Sequence, residues 1–506
     1  MRKAWSEEHI LADDGLGLNR SSIHYGEDHP RPPDDRVPMV LVILDGLGDR
    51  AHSELTGHSD AETLRSETLR SETLRAETVE AEPLVGGRAG GFTSSEAART
   101  PVLDELATRG QCGVHVPLGW GRAAASELAH WSLFGFGDID FPGRTLLEAL
   151  GRDLQPEPHS LLLFAALRPS HTDQFGRIWI TGRVRREEPD VALMLLESVR
   201  AYTTPTHEFR LTILDRGEAI LEVRARDGFG LSAVSDTDPF FEHLHPMLLP
   251  LPLVPSRNVN EANSAESTAV ALADYLRWAR ATLQTNPINL KRTLSGLPAL
   301  DTLTTKWASV VGSVPRFVDV VGVRGAMVTT SPFYAGLGRL LDMDTVAANR
   351  SQDALADSLE TAIALVHKGA KFVHVHTKVT DEAGHSKSPL EKKGAVEWCD
   401  AQLTRLLEPP FSDWVVAVTG DHATPASGGV LHTGDPTPFV ITAPAARRDA
   451  VRAFGEEQCR GGILGVLAAS DVLPLMCSHA NRPRFLGHRP SAYPTIALPD
   501  DPVPFR

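Results

Sequence analysis

Long apolar runs are missing from this chain of 506 residues. No stretch supplies the ~18 apolar residues that mark a membrane-spanning helix. The segment to Arg36 is charged, carries several prolines and lacks the apolar middle of a signal peptide. Cysteine is scarce: Cys112, Cys399, Cys459 and Cys477 stand far apart with no CxxC pair, which argues for reduced thiols over a disulfide framework. Positive charge is also in deficit. A formal net charge of -15 turns the attraction to phosphate backbones into repulsion, which argues against nucleic acid and anionic membrane as partners. The remaining usage, 42% hydrophobic and 23% charged, is that of a globular enzyme long enough for two or three domains, and with reduced thiols it points to the cytoplasm.

Residues 1-36 read as a loose extension, and the first clear element is Met39 to Leu44, an apolar run too short for a helix and suited to a buried parallel strand. A pentad repeat over 61-80 (AETLR, SETLR, SETLR, AETVE) advances ~140° per unit around a helix, so Leu64, Leu69 and Leu74 share no face. It reads as a solvated insertion over 60-82 with no part in a core. Thr100 to Arg109 predicts a helix with Thr100 as cap and Pro101 in the first turn. A second helix is predicted from Glu127 to Phe134, with Ser126 at its start, where unpaired backbone N–H groups favour an anion.

From about 151 to 312 short strands (Arg177 to Ile180, Arg210 to Leu214, Ala219 to Val223) precede a helix over Ala262 to Leu283, the pattern of an inserted α+β domain. Strand and helix then alternate through Ala326 to Thr329, Ala354 to His367, Lys371 to His376, Pro389 to Leu407, Trp414 to Thr419 and Phe439 to Ile441. The expected fold is therefore α/β: a doubly wound, mostly parallel sheet over 37-150 and 313-506, interrupted by the insert, with ligands at the carboxyl ends of its strands.

Four stretches carry the chemistry: VLVILDG (40-46), ASELAH (125-130), TDEAGH (380-385) and TGDHATPASGGVLH (419-432). Asp45, Asp381 and Asp421 each follow an apolar strand, which gathers three carboxylates at one sheet edge. A single Asp there more often caps the next helix. Caps have no need of imidazoles, however, and His385 lies four residues after Asp381, His422 beside Asp421 and His432 in the loop beyond. Mixed carboxylate and imidazole ligands suit manganese and zinc, and two ions ~4 Å apart can hold both oxygens of a phosphoryl transfer. His374 and His376 alternate inside a buried strand and read as core.

The strings DGLGDR, TPVLDELATRG, ASELAHWSLFGF, FPGRTLLEALG, VTDEAGH and TGDHATPASGGVLHTGDPTPF resemble the alkaline phosphatase superfamily and, within it, the archaeal-type cofactor-independent phosphoglycerate mutases. The resemblance covers most of 37-471 apart from the pentad insertion and is weakest in the insert. It implies conversion of 3-phosphoglycerate to 2-phosphoglycerate without bisphosphoglycerate, with Ser126 taking the phosphoryl group from one hydroxyl and returning it to the other. It further implies two divalent ions, manganese first, with magnesium, cobalt or zinc as alternatives. Asp45, Ser126, Asp421 and His422 would surround one, and Asp381, His385 and His432 the other. His130, Arg144, Arg183, Arg210 and Arg292 would contact the substrate, guanidinium forks being suited to carboxylate and phosphate.

Departures from the family pattern bear on the substrate. Its Arg-x-Asn falls near Ala165-Ala166-Leu167, its Arg-Gly-Ala-Gly near Arg292-Thr293-Leu294-Ser295, and its Lys-Gly at Ala335-Gly336, deleting a cation. The alternative is thus a paralogue acting on another small phosphorylated or phosphonate acid as transferase, mutase or hydrolase. A silent binding protein on the same scaffold would have no use for Ser126.

Overall fold

The computed structural model describes residues 35-55, 91-238, 245-253, 259-348, 354-485, 495-496 and 500. The expected extension to residue 36 (all but its last two residues) and the pentad repeat lie outside these. The described chain divides into two compact units. One takes the chain to Asp140, Pro315–Ser331 and the chain from Leu341 onward; the other takes Phe141–Val314 and Pro332–Leu340. The boundary expected near 150 therefore moves to Asp140, and a stretch expected in the core, Pro332–Leu340, belongs with the insert. The physical reason is helix packing within that unit: Gly336 sits so close to the Arg144–Leu150 helix that a Cβ would lie 1.9 Å from the Leu147 carbonyl oxygen.

The first unit is built on an eight-stranded sheet ordered Asp344–Ala347, Gly325–Thr329, Phe372–Thr377, Met39–Leu44, Val415–Thr419, Thr437–Thr442, Gln111–Val116, Gly465–Ala468. Met39 to Leu44 is apolar throughout because both of its faces are covered, and none of the six residues reaches solvent. Its partners Phe372–Thr377 and Val415–Thr419 run parallel to it on either side. Thr437–Thr442 departs from the parallel expectation and is antiparallel to both neighbours. Helices cover the faces through apolar stripes, Val102, Leu103 and Leu106 from Pro101–Arg109 and Leu355, Leu359 and Ala362 from Ala354–His367, which merge with Val40, Val42, Val373 and Val416 in one core.

The second unit holds a five-stranded antiparallel sheet ordered Ala201–Thr203, His207–Ile213, Glu218–Ala225, Leu161–Arg168, Thr302–Val310. Along His207–Ile213, His207, Phe209 and Leu211 turn inward and Glu208, Arg210 and Thr212 outward, the period-2 pattern of a half-covered sheet. The inner face packs under Pro189–Glu197 and Val259–Thr285. Leu162 and Ile220 on the other face meet Leu146 and Ala149 of the Arg144–Leu150 helix. Among the described residues no helix is long and apolar enough to cross a membrane.

Candidate metal centre and nucleophile

Three adjacent strands of the first unit deliver the carboxylates. Asp45 follows Met39–Leu44 directly, Asp421 lies two residues beyond Val415–Thr419, and Asp381 sits in the short Val379–His385 helix after Phe372–Thr377. All three are buried, at 0%, 0% and 5% exposure. The turn after Asp45 needs glycine: Gly46 has φ +65, donates its N–H to Asp421 Oδ1 at 2.9 Å, and leaves no room for a Cβ, which would lie 2.8 Å from Asp381 Oδ1.

The ligand candidates form two groups, Asp45 with Asp421 and His422, and Asp381 with His385 and His432. In the first, His422 Nε2 is 3.3 Å from Asp45 Oδ1 and 3.4 Å from Asp421 Oδ2. Ser126 joins it, its Oγ 2.9 Å from the same nitrogen. Ser126 opens the Ser126–Leu133 helix, the place expected for it. In the second group, His385 Nε2 and His432 Nε2 approach Asp381 Oδ1 at 3.3 and 3.7 Å. The His422 and His432 rings stack at 4.0 Å and join the groups side by side.

The donor set fits divalent cations. Asp421 Oδ2 is fully buried and has no hydrogen-bond partner, an arrangement that a cation ligand explains and a structural carboxylate does not. Burial and the neighbouring Asp45 charge push the Asp421 carboxyl up to about 8. Burial opposes protonation of His422, yet Asp421 and Asp45 raise it to about 9. Burial also opposes ionisation of Asp45, but hydrogen bonds with His376 and His422 and the Lys378 charge hold it well below the usual carboxylate range. Excess buried negative charge is thus met here by retained protons, the place a bound cation takes. His432 is pushed down to about 4 by burial and by His422, which leaves a neutral imidazole suited to ligation. Its Nδ1–H donates to the Ala124 carbonyl oxygen at 2.8 Å, which turns the Nε2 lone pair toward Asp381.

Residues that sequence reasoning passed over complete the centre. His376, read as core, pairs through Nε2 with Asp45 Oδ2 at 3.1 Å and orients that carboxylate. Lys378 Nζ stands 3.5 Å from Asp45 Oδ2 and 3.4 Å from Asp381 Oδ2, a cation between the two groups. Its i,i+3 spacing to Asp381 was the available signal. Thr424 Oγ1 donates to Asp381 Oδ1 at 2.8 Å. Lys392, wholly buried, donates to the Gly48 and Thr424 carbonyl oxygens at 2.8 Å each, tying the loop after Asp45 to the loop after Asp421. His374 is core as read, buried against Phe134 and His130, although neither ring nitrogen has a hydrogen-bond partner.

The expected substrate contacts fare unevenly. His130 is wholly buried, its Nδ1 bonded to the Ser126 carbonyl oxygen at 2.9 Å and 3.4 Å from Asp421 Oδ2. The imidazole is thus enclosed beside Asp421 and bonded into the Ser126–Leu133 helix. Arg144, Arg183, Arg210 and Arg292 all lie in the second unit. Arg292 spends its guanidinium there: NH1 and NH2 on Glu188 at 2.8 and 3.3 Å, Nε on the Pro298 carbonyl oxygen at 3.1 Å. Its guanidinium is thus held by Glu188 within the second unit. Arg183 and Arg210 are exposed, Arg210 opposite Glu222 on the sheet. Arg144 lies 4.2 Å over the Trp307 ring.

The family model of the Metalloenzyme superfamily matches residues 37–479. A 2,3-bisphosphoglycerate-independent phosphoglycerate mutase 2 of Methanocaldococcus jannaschii is 30% identical over 91% of this chain and 97% of its own length. A 2,3-bisphosphoglycerate-independent phosphoglycerate mutase of Thermococcus gammatolerans is 28% identical over 88% and 98%. Among solved structures, the cofactor-independent phosphoglycerate mutase of Thermoplasma acidophilum aligns with TM-score 0.56 at 26% identity, covering 88% of this chain and 100% of that one.

Proposed function

We propose, from the premise that this chain belongs to the Metalloenzyme superfamily and within it to the 2,3-bisphosphoglycerate-independent phosphoglycerate mutase family, that it interconverts 3-phosphoglycerate and 2-phosphoglycerate through a covalent phosphoserine at Ser126. The observation that carries the serine's role is its Oγ, 2.9 Å from His422 Nε2 at the edge of the Asp45, Asp421 and His422 group. The Ser126 oxygen attacks phosphorus, its proton leaves, the O–P bond to the glycerate breaks, and the freed glycerate oxygen takes a proton. In the second half the other glycerate hydroxyl attacks the phosphoserine, loses its proton, and Ser126 Oγ departs and is reprotonated. Atoms balance, and no outside phosphoryl donor is needed.

Two ions are proposed, one per ligand group, manganese first and magnesium, cobalt or zinc as alternatives. Bound divalent cations supply Lewis-acid activation and charge compensation at such a centre. The protein's own part is orientation: Gly46 and Lys392 hold the loops, His376 aims Asp45, Thr424 aims Asp381, and Lys378 adds positive charge where phosphoryl oxygens would gather. The four cysteines are free and buried, which supports a reducing compartment, the cytoplasm.

One observation favours a second reading. Ala335, buried on Pro332–Leu340, stands where the resemblance puts a lysine, so the acid processed could be a different phosphorylated or phosphonate one. The test of both is turnover of 3-phosphoglycerate by metal-loaded protein coupled to enolase, run beside a panel of phosphate esters and phosphonates. Rapid quenching should yield a phosphopeptide containing Ser126. No mutase turnover, with another panel member processed, would overturn the substrate and leave Ser126 standing; turnover without a phosphopeptide would overturn the serine.

A further inference from the structure

Arg292 is spent on Glu188, so the insert's cationic contacts have to come from elsewhere in that unit. Two cations there are ion-paired but, among the described residues, donate no side-chain hydrogen bond. Arg168 ends the Leu161–Arg168 strand and Lys306 lies on the neighbouring Thr302–Val310 strand, opposite Phe164. They flank one carboxylate: Arg168 NH2 is 3.6 Å and Lys306 Nζ 4.0 Å from Asp238 Oδ2. Both separations are too long for hydrogen bonds, and Asp238 Oδ2 accepts one from Thr304 Oγ1 at 3.2 Å. The guanidinium fork and the ammonium are therefore held in place with their own donors unengaged. The side chains are only 12% and 15% exposed, and burial pulls the Lys306 ammonium below its usual range, Asp238 opposing and Arg168, Arg144 and Arg183 adding to the effect. Donors fixed and desolvated in this manner await an anion.

The platform under Lys306 is itself unusual. Lys306 Nζ lies 4.1 Å and Arg144 Cζ 4.2 Å from the centroid of the same ring, that of Trp307. Trp307 has φ +59, a left-handed conformation that a bulky residue adopts only when its surroundings impose it. They do: its N–H donates to Asp236 Oδ1 at 2.8 Å and its carbonyl accepts from Thr145 Oγ1 at 2.6 Å. Strain of this kind collects at functional sites. Phe333 lies 4.3 Å from the other end of the same construction, the Arg144 guanidinium, and Phe333 is on the helix that carries Ala335.

We propose that Arg168 and Lys306, spaced by Asp238 and with Lys306 seated on the strained Trp307, form the insert's anion site, taking a carboxylate or phosphate group of the acid and standing in for the cation missing at Ala335. This rests on the phosphoglycerate reading. Each charge-assisted hydrogen bond is worth ~1.5–3 kcal/mol, so Lys306→Met and Arg168→Met should each raise KM for 3-phosphoglycerate about ten- to a hundredfold. Lys306→Arg should restore most of the loss, because the charge returns. Trp307→Phe should raise KM less and leave kcat within a few fold, since the platform positions Lys306 and does not touch the reacting atoms. Calorimetric binding of 3-phosphoglycerate to the metal-loaded full chain reads the same effect without turnover. Binding of inorganic phosphate or of D-glycerate, whichever Lys306→Met weakens, tells which end of the acid the site takes. Wild type that turns over substrate while Lys306→Met and Arg168→Met, folded by circular dichroism, keep KM and affinity overturns this site and leaves the function intact. Wild type that neither turns over nor binds 3-phosphoglycerate overturns both.

Discussion

Replacing Gly46 by alanine tests whether the turn behind Asp45 is set by steric necessity. Two costs are separable. Holding a non-glycine residue at φ +65 costs about 1–2 kcal/mol. The added Cβ would then sit 2.6 Å from Thr424 Oγ1, 2.8 Å from Asp381 Oδ1 and 2.9 Å from Asp381 Cα. The last of these is backbone and cannot swing aside, so overpacking adds a further ~1–3 kcal/mol. Gly428 supplies the control: it too has a positive φ, +75, but a Cβ there meets nothing within 4 Å. Gly428→Ala should therefore cost only the conformational share, about 1–2 kcal/mol, and Gly46→Ala about 2–5 kcal/mol, measured by urea unfolding of matched preparations. Because the clash falls on Asp381 and on the hydroxyl that aims it, metal content should fall in Gly46→Ala and stay unchanged in Gly428→Ala. Equal stabilities for the two variants, or full metal content in Gly46→Ala, would refute the steric account of this turn.

Ser126→Ala should abolish turnover and leave the fold unchanged, since removing a poorly exposed hydroxyl creates little cavity; residual turnover above background in the coupled assay would remove Ser126 as nucleophile. His385→Ala should lower bound divalent metal from about two ions to about one per chain under the two-ion proposal, counted by elemental analysis, and an unchanged count would place His385 outside the site. Lys392→Met strips two buried carbonyl oxygens of their donor and leaves Asp49, 3.8 Å away, short of positive charge, for a loss of about 3–5 kcal/mol; a loss under ~0.5 kcal/mol, the level of ordinary surface changes, would refute that role. Asp49 is held at about 2 against an ordinary 3.8: burial opposes this, and His52, Lys392 and Ser94 override it. A depressed carboxylate contributes stability that is complete above the unfolded value and is lost as pH falls through the folded one. About 2 kcal/mol should therefore disappear between roughly pH 4 and pH 2; urea titrations in steps down to about pH 2.5 should show a shallower decline for Asp49→Asn, and parallel declines would show that Asp49 is not the source.

Much of the first unit was legible because its signals are local. Met39 to Leu44 is apolar at every position, which only a strand covered on both faces can afford, and the topology rule then places the residues after three such strands at one edge. Asp45, Asp381 and Asp421 could be placed together by that rule alone, and the imidazoles beside them marked candidate ligands and not caps. Thr437–Thr442 was the exception in direction: an apolar run states that a strand is buried and carries no sign of which way it runs. The boundary of the insert failed for a related reason. Pro332–Leu340 belongs with Arg144–Leu150 because Gly336 permits close approach, and a helix–helix contact between segments so far apart in the chain leaves no periodic trace.

The misjudged side chains share one cause. His376 and His374 alternate on one strand with the same burial, yet one pairs with Asp45 and the other has only aromatic neighbours. No pattern along the strand separates them, because the difference lies in which residue of a neighbouring strand's end they meet. Arg292 was chosen for its chemistry, and its chemistry is consumed by Glu188, 104 residues away. Lys306 was passed over because a lysine before a tryptophan in a polar strand looks like any half-exposed position. What marks it is relational: a carboxylate shared with Arg168, a ring shared with Arg144, and a backbone angle at Trp307 that its residue type disfavours. Side-chain type states what a cation can bind, while its availability depends on what the fold has already paired with it, and in this insert that second condition is the ground for proposing Lys306 and Arg168 ahead of Arg292 as the anion site.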